Sequence, residues 1–336
     1  CARKSTKNGR PQSIHYCCSK KLNKVERISW KTKYTQVKTN DYTASEGADL
    51  RILLAKDAGY CFGVRDAVNM AYDTAKEYDE VYMLGDIVHN ETVVRNLARS
   101  GTKVVADLKD VPKEKPVLFR AHGTVPELWE KARENNQGIV DATCPLVTEI
   151  HEEIKKLEGE GRRTIIIGDH GHDEVVAIAA QVSEPIIIAN PEEAHTLRKM
   201  KKAGVVSQST QMIENVQGII NILIRKVFDL RFINTICFPT RRNHEQIKEL
   251  AVRSDTMIVI GSFTSANSKR LTQLALERNP RSYQVTSAED LDSDWFKDSE
   301  IIGISAGAST PDNIISEIVE KIKIIGQITE KEEVYE

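Results

Sequence analysis

The chain has 336 residues, of which 40% are hydrophobic and 29% are charged, a balance typical of a globular protein of one to three domains. No apolar stretch approaches the ~18 residues that a membrane-spanning helix needs. The net charge is −2, but residues 1–49 hold 11 Lys+Arg against 4 Asp+Glu, and the remainder holds 36 against 45. Residues 50–336 therefore have a net charge of −9, which makes this protein a poor candidate for wrapping nucleic acid.

Residues 1–48 lack apolar periodicity, and we expect a disordered or accessory segment there. This segment contains Cys1, Cys17 and Cys18, which have no spacing typical of a metal site. Its basic composition leaves a transit peptide open, which would direct the protein to a plastid-like organelle. Otherwise we expect a bacterial-type cytoplasmic protein, because residues 50–336 hold only three cysteines, and so few, odd in number, suit a reducing compartment.

The first predicted element is a buried strand at 52–55, followed by a turn that presents Cys61 between two glycines. Two later stretches repeat this arrangement, 138–145 with Cys144 and 232–239 with Cys237. Each is a short apolar run that ends just before a cysteine beside Gly or Pro. These are the only cysteines in the last 276 residues.

The repeat extends beyond the cysteines. A glycine lies 24 residues after each of them, at Gly85, Gly168 and Gly261, and each glycine ends another apolar run. A third run with polar residues at its end follows in every unit. Helical patterns separate the runs, for example at 64–78, 146–160 and 243–253. Alternating strands and helices predict parallel sheets, in which ligands gather at the carboxyl ends of the strands.

The repeat predicts three small α/β units. Their expected bounds are 62–144, 145–236 and 237–326, and we expect strand 51–61 to complete the sheet of the third. A helix over 312–324 follows Pro311. The acidic tail at 327–336 is expected to fray.

Histidines and small hydroxyl or amide side chains follow the predicted strands and suggest an anion pocket. They are His89, His122, His172, Ser262, Ser265, Asn267 and Ser309. The sequence 303–307 lacks the Lys of a Walker loop. His151 and His244 look helical and His195 lies at a predicted helix start, so we interpret these three as structural.

Three thiols in matched positions favour a metal site over unrelated buried cysteines. A structural zinc site or a cubane iron–sulfur cluster ordinarily takes four protein ligands, so three would leave one metal position open for substrate. Glu174 follows a predicted strand-end histidine by two residues. It is either a general acid whose pKa burial raises or an ordinary carboxylate at a helix start.

At these residues the chain resembles the 4-hydroxy-3-methylbut-2-enyl diphosphate reductase family over roughly 51–326. The motifs that carry the resemblance are Ala58-Gly-Tyr-Cys-Phe-Gly-Val64, Val88-His-Asn90, Ala121-His-Gly123, Asp141-Ala-Thr-Cys-Pro145, Gly171-His-Asp-Glu174, Gln208-Ser-Thr210, Ser265-Ala-Asn267 and Ser305-Ala-Gly-Ala-Ser309.

The resemblance implies a pseudo-threefold trefoil of three parallel-sheet α/β units around a central [4Fe–4S] cluster held by Cys61, Cys144 and Cys237. It also implies a substrate diphosphate held by His89, His122, His172, Ser265, Ala266, Asn267 and Ser309. Glu174 would be the proton donor, and Ser209 stands where the family has a Thr that orients the substrate hydroxyl. Ala266 replaces a Ser of the family, and Asn243-His244 replaces Arg-Gln.

The implied reaction is reductive dehydroxylation of 4-hydroxy-3-methylbut-2-enyl diphosphate to isopentenyl and dimethylallyl diphosphate. Two electrons would pass through the cluster, whose open iron would bind the substrate hydroxyl, and a ferredoxin- or flavodoxin-like protein would supply them. Two other classes stay open at this point, an iron–sulfur electron carrier and a zinc-stabilised module that binds phosphosugars or nucleotides. Neither nucleic acid nor a membrane is expected as a partner.

Overall fold

The computed structural model describes residues 50–78, 80–326 and 332–335, so the predictions for 1–48 lie outside the described residues. The strands are β1 (Arg51–Ala55), β2 (Val81–Leu84), β3 (Thr102–Val105), β4 (Val117–Phe119), β5 (Ile139–Asp141), β6 (Arg163–Ile167), β7 (Ile186–Ile188), β8 (Met200–Ser207), β9 (Val227–Phe232), β10 (Thr256–Ile260), β11 (Ser282–Val285), β12 (Ile301–Ala306) and β13 (Glu332–Tyr335). The helices are α1 (Phe62–Glu77), α2 (Glu91–Arg99), α3 (Pro126–Glu134), α4 (Pro145–Gly159), α5 (Asp173–Ala179), α6 (Pro191–Thr196), α7 (Ile213–Lys226), α8 (Phe238–Arg253), α9 (Ala266–Leu276) and α10 (Asp312–Ile325).

The described strands form three sheets in which every pairing is parallel. We call them the first unit (β3-β2-β4-β5), the second unit (β7-β6-β8-β9) and the third unit (β11-β10-β12-β1-β13). The predicted fold class of three parallel-sheet α/β units is confirmed. Strand β1 lies between β12 and β13, so the third sheet contains segments far apart in sequence.

The expectation that the tail frays is wrong for residues 332–335. Strand β13 pairs with β1 in parallel, with Ile52 opposite Glu332. Without this strand the outer backbone groups of β1 would be unpaired, and an unpaired strand edge favours the addition of another strand.

The central apolar runs form strands that are buried on both faces, because helices cover both sides of parallel sheets. The run before Cys237 is an exception, because β9 ends at Phe232. All four residues of β2 and all five of β10 are buried. In the first unit the ring of Phe119 lies 5.0 Å from that of Trp129 on α3, which Pro126 opens as predicted. Helix α8 begins five residues before the predicted 243, because Pro239 fits in its first turn.

None of the helices in the described part of the chain combines the length and the apolar character needed to cross a bilayer.

Candidate functional site

Each of the three cysteines stands immediately before a helix. Cys61 is the N-cap residue of α1, Cys144 of α4 and Cys237 of α8. The turn before Cys61 requires glycine at position 59, where φ is +96° and an added Cβ would lie 2.9 Å from Ile315 Cδ1. The three cysteines predicted to follow strands therefore lie at three helix starts, where the first backbone N–H groups have no partner within the helix.

The backbone fixes the three cysteines in the same way. The N–H of Cys61 donates to Ala308 O at 3.3 Å, that of Cys144 to Ala121 O at 3.0 Å, and that of Cys237 to Ser209 O at 2.9 Å. Ser209 is itself a predicted site residue. Ala308 immediately precedes Ser309, and Ala121 immediately precedes His122. The threefold repeat seen in the sequence is therefore present in the hydrogen bonding around the sulfurs.

The sulfurs lie near one another and are partly buried. A Cβ on Gly63 would lie 2.4 Å from Cys144 Sγ, so the first turn of α1 packs directly on that sulfur. Burial is the main cause that raises the thiol pKa, to about 11 for Cys144 and about 12 for Cys237, and an ionised Cys61 nearby raises both further. The pKa of Cys61 is raised by burial as well.

All three cysteines of the described chain are free thiols. Buried thiols with raised pKa values lose their protons readily when a metal ion offsets the charge, and soft sulfur ligands suit iron–sulfur clusters or zinc. Cys237 Sγ also lies 3.0 Å from Thr240 Oγ1, which orients that thiol. The donor set therefore fits a metal group with three protein ligands and an open position.

Three histidines that follow different strands meet in one cluster. The rings of His89 and His122 stack with centroids 4.3 Å apart, and that of His172 meets them edge-on at 5.3 and 5.7 Å. His89 follows β2, His122 follows β4 and His172 follows β6. The first and second units therefore contribute jointly to this cluster, which we call the histidine cluster.

Burial lowers the pKa of all three histidines, to about 4 for His172 and well below the usual value for His122. Nδ1 of His172 accepts the backbone N–H of Glu174 at 3.1 Å, so the neutral ring carries its proton on Nε2. Nδ1 of His122 is buried and has no hydrogen-bond partner among the described residues. Neutral imidazoles with free donors suit an anionic ligand, which would raise their pKa values.

Asp173 and Arg120 border the histidine cluster, and the sequence analysis missed both. Ligand atoms of His89, His122 and Asp173 lie within 4.8 Å of one another, a spacing that a metal ion could use. Nη1 of Arg120 already bonds Asp173 Oδ2 at 2.5 Å and would repel a cation there. The available signal was that Arg120 lies two residues before His122 and that Asp173 directly follows His172.

The start of α9 supplies the small polar groups. Ser265 is its N-cap residue and accepts the N–H of Ser268 at 3.3 Å. Asn267 is 6% exposed, yet neither atom of its side-chain amide has a partner among the described residues. Ser309 donates to the carbonyl of His89 at 3.3 Å, which brings the third unit to the histidine cluster. Buried amides are ordinarily bonded, so this helix start fits an anionic ligand.

Glu174 is close to both the histidine cluster and the sulfurs, since its backbone N–H bonds His172 and its charge acts on Cys144 and Cys237. It is 2% exposed on the first turn of α5, and its carboxylate accepts Ser209 N–H at 2.6 Å and Ser209 Oγ–H at 2.7 Å. Burial raises its pKa, while both bonds from Ser209 lower it. Its charge also raises the pKa of Cys144 and of Cys237. Glu174 is buried and lies in the first turn of α5, so both interpretations left open fit its position, and its burial supports the general acid.

Polar side-chain contacts cross every boundary between units. Arg120 bonds Asp173 between the first and second units. Arg270 bonds Asp169 between the second and third units. Glu91 accepts the hydroxyl protons of Ser262 at 2.8 Å and Thr264 at 3.0 Å between the first and third. None of these pairs is close in sequence, and the sequence analysis identified none.

The other histidines lie elsewhere. His170 pairs with Glu193 at 2.8 Å on an exposed surface. His151 and His244 are buried on α4 and α8, in agreement with a structural role. The predicted helix start at His195 is wrong, because Pro191 opens α6 and His195 falls in its last turn. Asn243 is buried beside His244, and its amide donates to Ala306 O at 3.5 Å.

Comparison with known proteins gives a consistent result. A family model described as "LytB protein" matches residues 52–323. The 4-hydroxy-3-methylbut-2-enyl diphosphate reductase of Geobacter sulfurreducens is 40% identical over 275 residues, which cover 82% of this chain and 97% of that protein. The enzyme of the same name from Geotalea daltonii is 38% identical over 279 residues, 83% of this chain and 99% of its own.

Two solved structures have a similar fold. The E-1-hydroxy-2-methyl-but-2-enyl-4-diphosphate reductase of Plasmodium falciparum matches with a TM-score of 0.79 and 28% identity, over 82% of this chain and 88% of its own. The second is an (E)-4-hydroxy-3-methyl-but-2-enyl diphosphate reductase, described as the terminal enzyme of the non-mevalonate pathway. It matches with a TM-score of 0.63 and 34% identity, over 82% of this chain and 99% of its own.

Proposed function

The chain belongs to the LytB protein family, and from this premise we propose that it reduces 4-hydroxy-3-methylbut-2-enyl diphosphate to isopentenyl and dimethylallyl diphosphate. The substrate takes up two electrons and two protons, its allylic C–O bond breaks, and the hydroxyl leaves as water. The reaction would make this protein the last enzyme of the non-mevalonate pathway to isoprenoids.

In this proposal Cys61, Cys144 and Cys237 hold a [4Fe–4S] cluster. The support is the set of three free, partly buried thiols with raised pKa values at three helix starts. When bound, the cluster supplies the two electrons and an open iron that acts as a Lewis acid toward the substrate hydroxyl.

The diphosphate is assigned to the histidine cluster and to the start of α9. His89, His122 and His172 offer imidazole N–H donors, and Ser265, Asn267 and Ser309 offer hydroxyl and amide groups. Ala266 can contribute only its backbone N–H. Donors from all three units would fix the phosphate end of the substrate and thereby orient its hydroxyl toward the sulfurs.

Glu174 is assigned as the proton donor, and Ser209 as the residue that orients both Glu174 and the substrate hydroxyl. One observation carries the proposal: a carboxyl that is 2% exposed is joined to the histidine cluster through its backbone, acts electrostatically on two of the thiols, and has a pKa that burial raises. A raised pKa favours the protonated form that a general acid needs. Its proton would convert the leaving hydroxyl to water.

The proposal is tested by anaerobic reconstitution with iron and sulfide, followed by assay with reduced methyl viologen and the hydroxylated diphosphate. We expect oxidation of the dye only when substrate is present, and formation of both diphosphate products. An electron carrier would exchange electrons without consuming the diphosphate, and a zinc module would be colourless. Either result would overturn the proposal.

The electrons would come from a ferredoxin- or flavodoxin-like protein, because the cluster accepts them singly. A reducing compartment suits the three free thiols. The cytoplasm is therefore proposed as the place of action, or a plastid-like organelle if residues 1–48 are a transit peptide.

A further inference from the structure

Arg270 is a buried arginine that binds a unit other than its own. It lies on α9, one turn beyond Ser265 and Asn267, and is 8% exposed. Its Nη2 donates to both carboxylate oxygens of Asp169, at 2.7 and 2.6 Å. Its Nη1 donates to Thr210 Oγ1 at 3.0 Å. Both partners belong to the second unit, so the side chain joins the start of α9 to that sheet.

Both partners of Arg270 are also bonded to Gln208, so the network includes the residues on either side of Ser209. Gln208, which is fully buried, accepts the N–H of Asp169 at 3.0 Å and donates to Thr210 Oγ1 at 3.2 Å. A Cβ on Gly168 would lie 3.2 Å from Gln208 Oε1, so there is little space for this amide to move. The stretch 208–210 is therefore held at both ends by one network whose only formal cation is Arg270.

Ser209, at the centre of that stretch, makes both hydrogen bonds to the Glu174 carboxylate that the structure describes. One comes from its backbone N–H and the other from its hydroxyl. A shift of 208–210 would therefore move both donors together and change where the carboxyl points. Misplacement of about 1 Å in a catalytic group can cost on the order of 100-fold in rate.

We propose that Arg270 is a positioning residue that holds Ser209, and through it the proton donor Glu174, by its fork of bonds to Asp169 and Thr210. The inference rests on the proposed function, because it presumes that Glu174 delivers a proton. Arg270 itself touches neither sulfur nor histidine cluster by any described hydrogen bond. Its charge lowers the pKa of Glu174 and, as the smallest of several causes, that of His172, so it should act chiefly on the proton transfer and only weakly on the capture of the diphosphate.

The test uses the reconstituted full chain with the dye as electron donor. Arg270→Gln should lower kcat about 10- to 100-fold and change KM by less than about threefold. Arg270→Lys keeps the charge but cannot reproduce the fork, and an intermediate kcat is expected. Lys269→Gln, at the exposed neighbouring position, is the matched control and should keep the wild-type kcat. Calorimetry with inorganic diphosphate should give similar Kd values for all four proteins.

A double-mutant cycle separates positioning from general loosening. If Arg270 acts through Ser209, the variant with both Arg270→Gln and Ser209→Ala should be about as slow as the slower single variant. If the kcat of the double variant instead falls by the product of the two single losses, the inference is overturned. An equal rise of KM and diphosphate Kd, or loss of the folding transition in both Arg270 variants, would overturn it too, because each indicates a purely structural role.

Failure of the inference is distinguishable from failure of the proposed function. A wild-type protein that does not consume the hydroxylated diphosphate removes the proposed function, whereas a Glu174→Gln variant with full turnover removes the role of Glu174 and with it the premise of this inference. An active wild type, an inactive Glu174→Gln and an unaffected Arg270→Gln remove only the role of Arg270.

Discussion

His172 and Glu174 are joined by a hydrogen bond in which Nδ1 of the imidazole accepts the backbone N–H of the glutamate at 3.1 Å. The bond uses the backbone of Glu174 and leaves its carboxyl to Ser209. A proposed diphosphate ligand and the proposed proton donor thus share one helix start without sharing a side-chain contact. Their two roles should therefore be separable by mutation.

Glu174→Gln tests that separation. The change keeps the backbone bond to His172, so substrate binding should stay within about threefold of wild type. It removes the titratable proton, so turnover should fall to about a few per cent or less. Steady-state assay with the dye, together with calorimetry, measures both quantities. Glu192→Gln, on the exposed face of α6, is the control, and an equally active Glu174→Gln would remove this residue from the role.

Binding of inorganic diphosphate should take up protons. Burial lowers the pKa of His172 to about 4 and also lowers those of His89 and His122, whereas a nearby anion raises them. Between the free and the bound pKa values, affinity therefore rises as the pH falls. Calorimetry at pH 6 in two buffers of different ionisation enthalpy measures the uptake.

The control for proton uptake is His172→Asn, since titration of the ligand itself is common to both proteins. Uptake by the variant should be smaller than that of the wild type. Identical uptake would show that this imidazole stays neutral in the complex.

Ser209→Ala should slow turnover about tenfold, because one of the two bonds that orient Glu174 is lost while the backbone N–H remains. Ser209→Thr keeps the hydroxyl and restores the residue typical of the family, so it should retain a kcat within about twofold of wild type. A threonine variant as slow as the alanine variant would mean that packing space, and not the hydroxyl, governs this position.

Ala266→Ser should change substrate affinity by less than about threefold. Ala266 is the first residue of α9, where the backbone N–H is available to a ligand whatever the side chain. Asn267→Ala, which removes an amide with no protein partner, should weaken binding by about tenfold or more. A large gain from the added hydroxyl would mean that this chain binds diphosphate with one contact fewer than its relatives.

Replacement of any one of Cys61, Cys144 and Cys237 by Ala should leave the reconstituted protein with less than about half of the wild-type iron and without visible absorption. Iron analysis after desalting measures the iron content. Cys17→Ala and Cys18→Ala should behave as wild type, because the proposed ligands lie in the three units. Full iron content in a Cys144 variant would mean that another residue can take its place.

The structure brings together the residues that the sequence analysis named directly after strands, and their roles remain predictions. Cys61, His89 and His172 could be located because parallel strands end on the same side of a sheet and the repeat gave the register. The contacts Arg270–Asp169 and Glu91–Ser262 could not be found, because they join units whose relative orientation no local pattern encodes.

Two errors have local causes. The helix boundary at His195 was misjudged because Pro191, which opens α6, was not used as the start signal. The tail was expected to fray because it is acidic and terminal, whereas β13 pairs with β1. The charge of the tail does not reveal that β1, 280 residues earlier in the sequence, has a free edge to which the tail can pair.

The polar contacts that cross all three boundaries have a consequence for engineering. Because the histidine cluster, the start of α9 and the sulfurs come from different sheets, a fragment that encodes a single unit would contain no complete pocket. Redesign toward another allylic alcohol would accordingly require simultaneous changes on at least two sheets, chosen so that the boundary pairs survive.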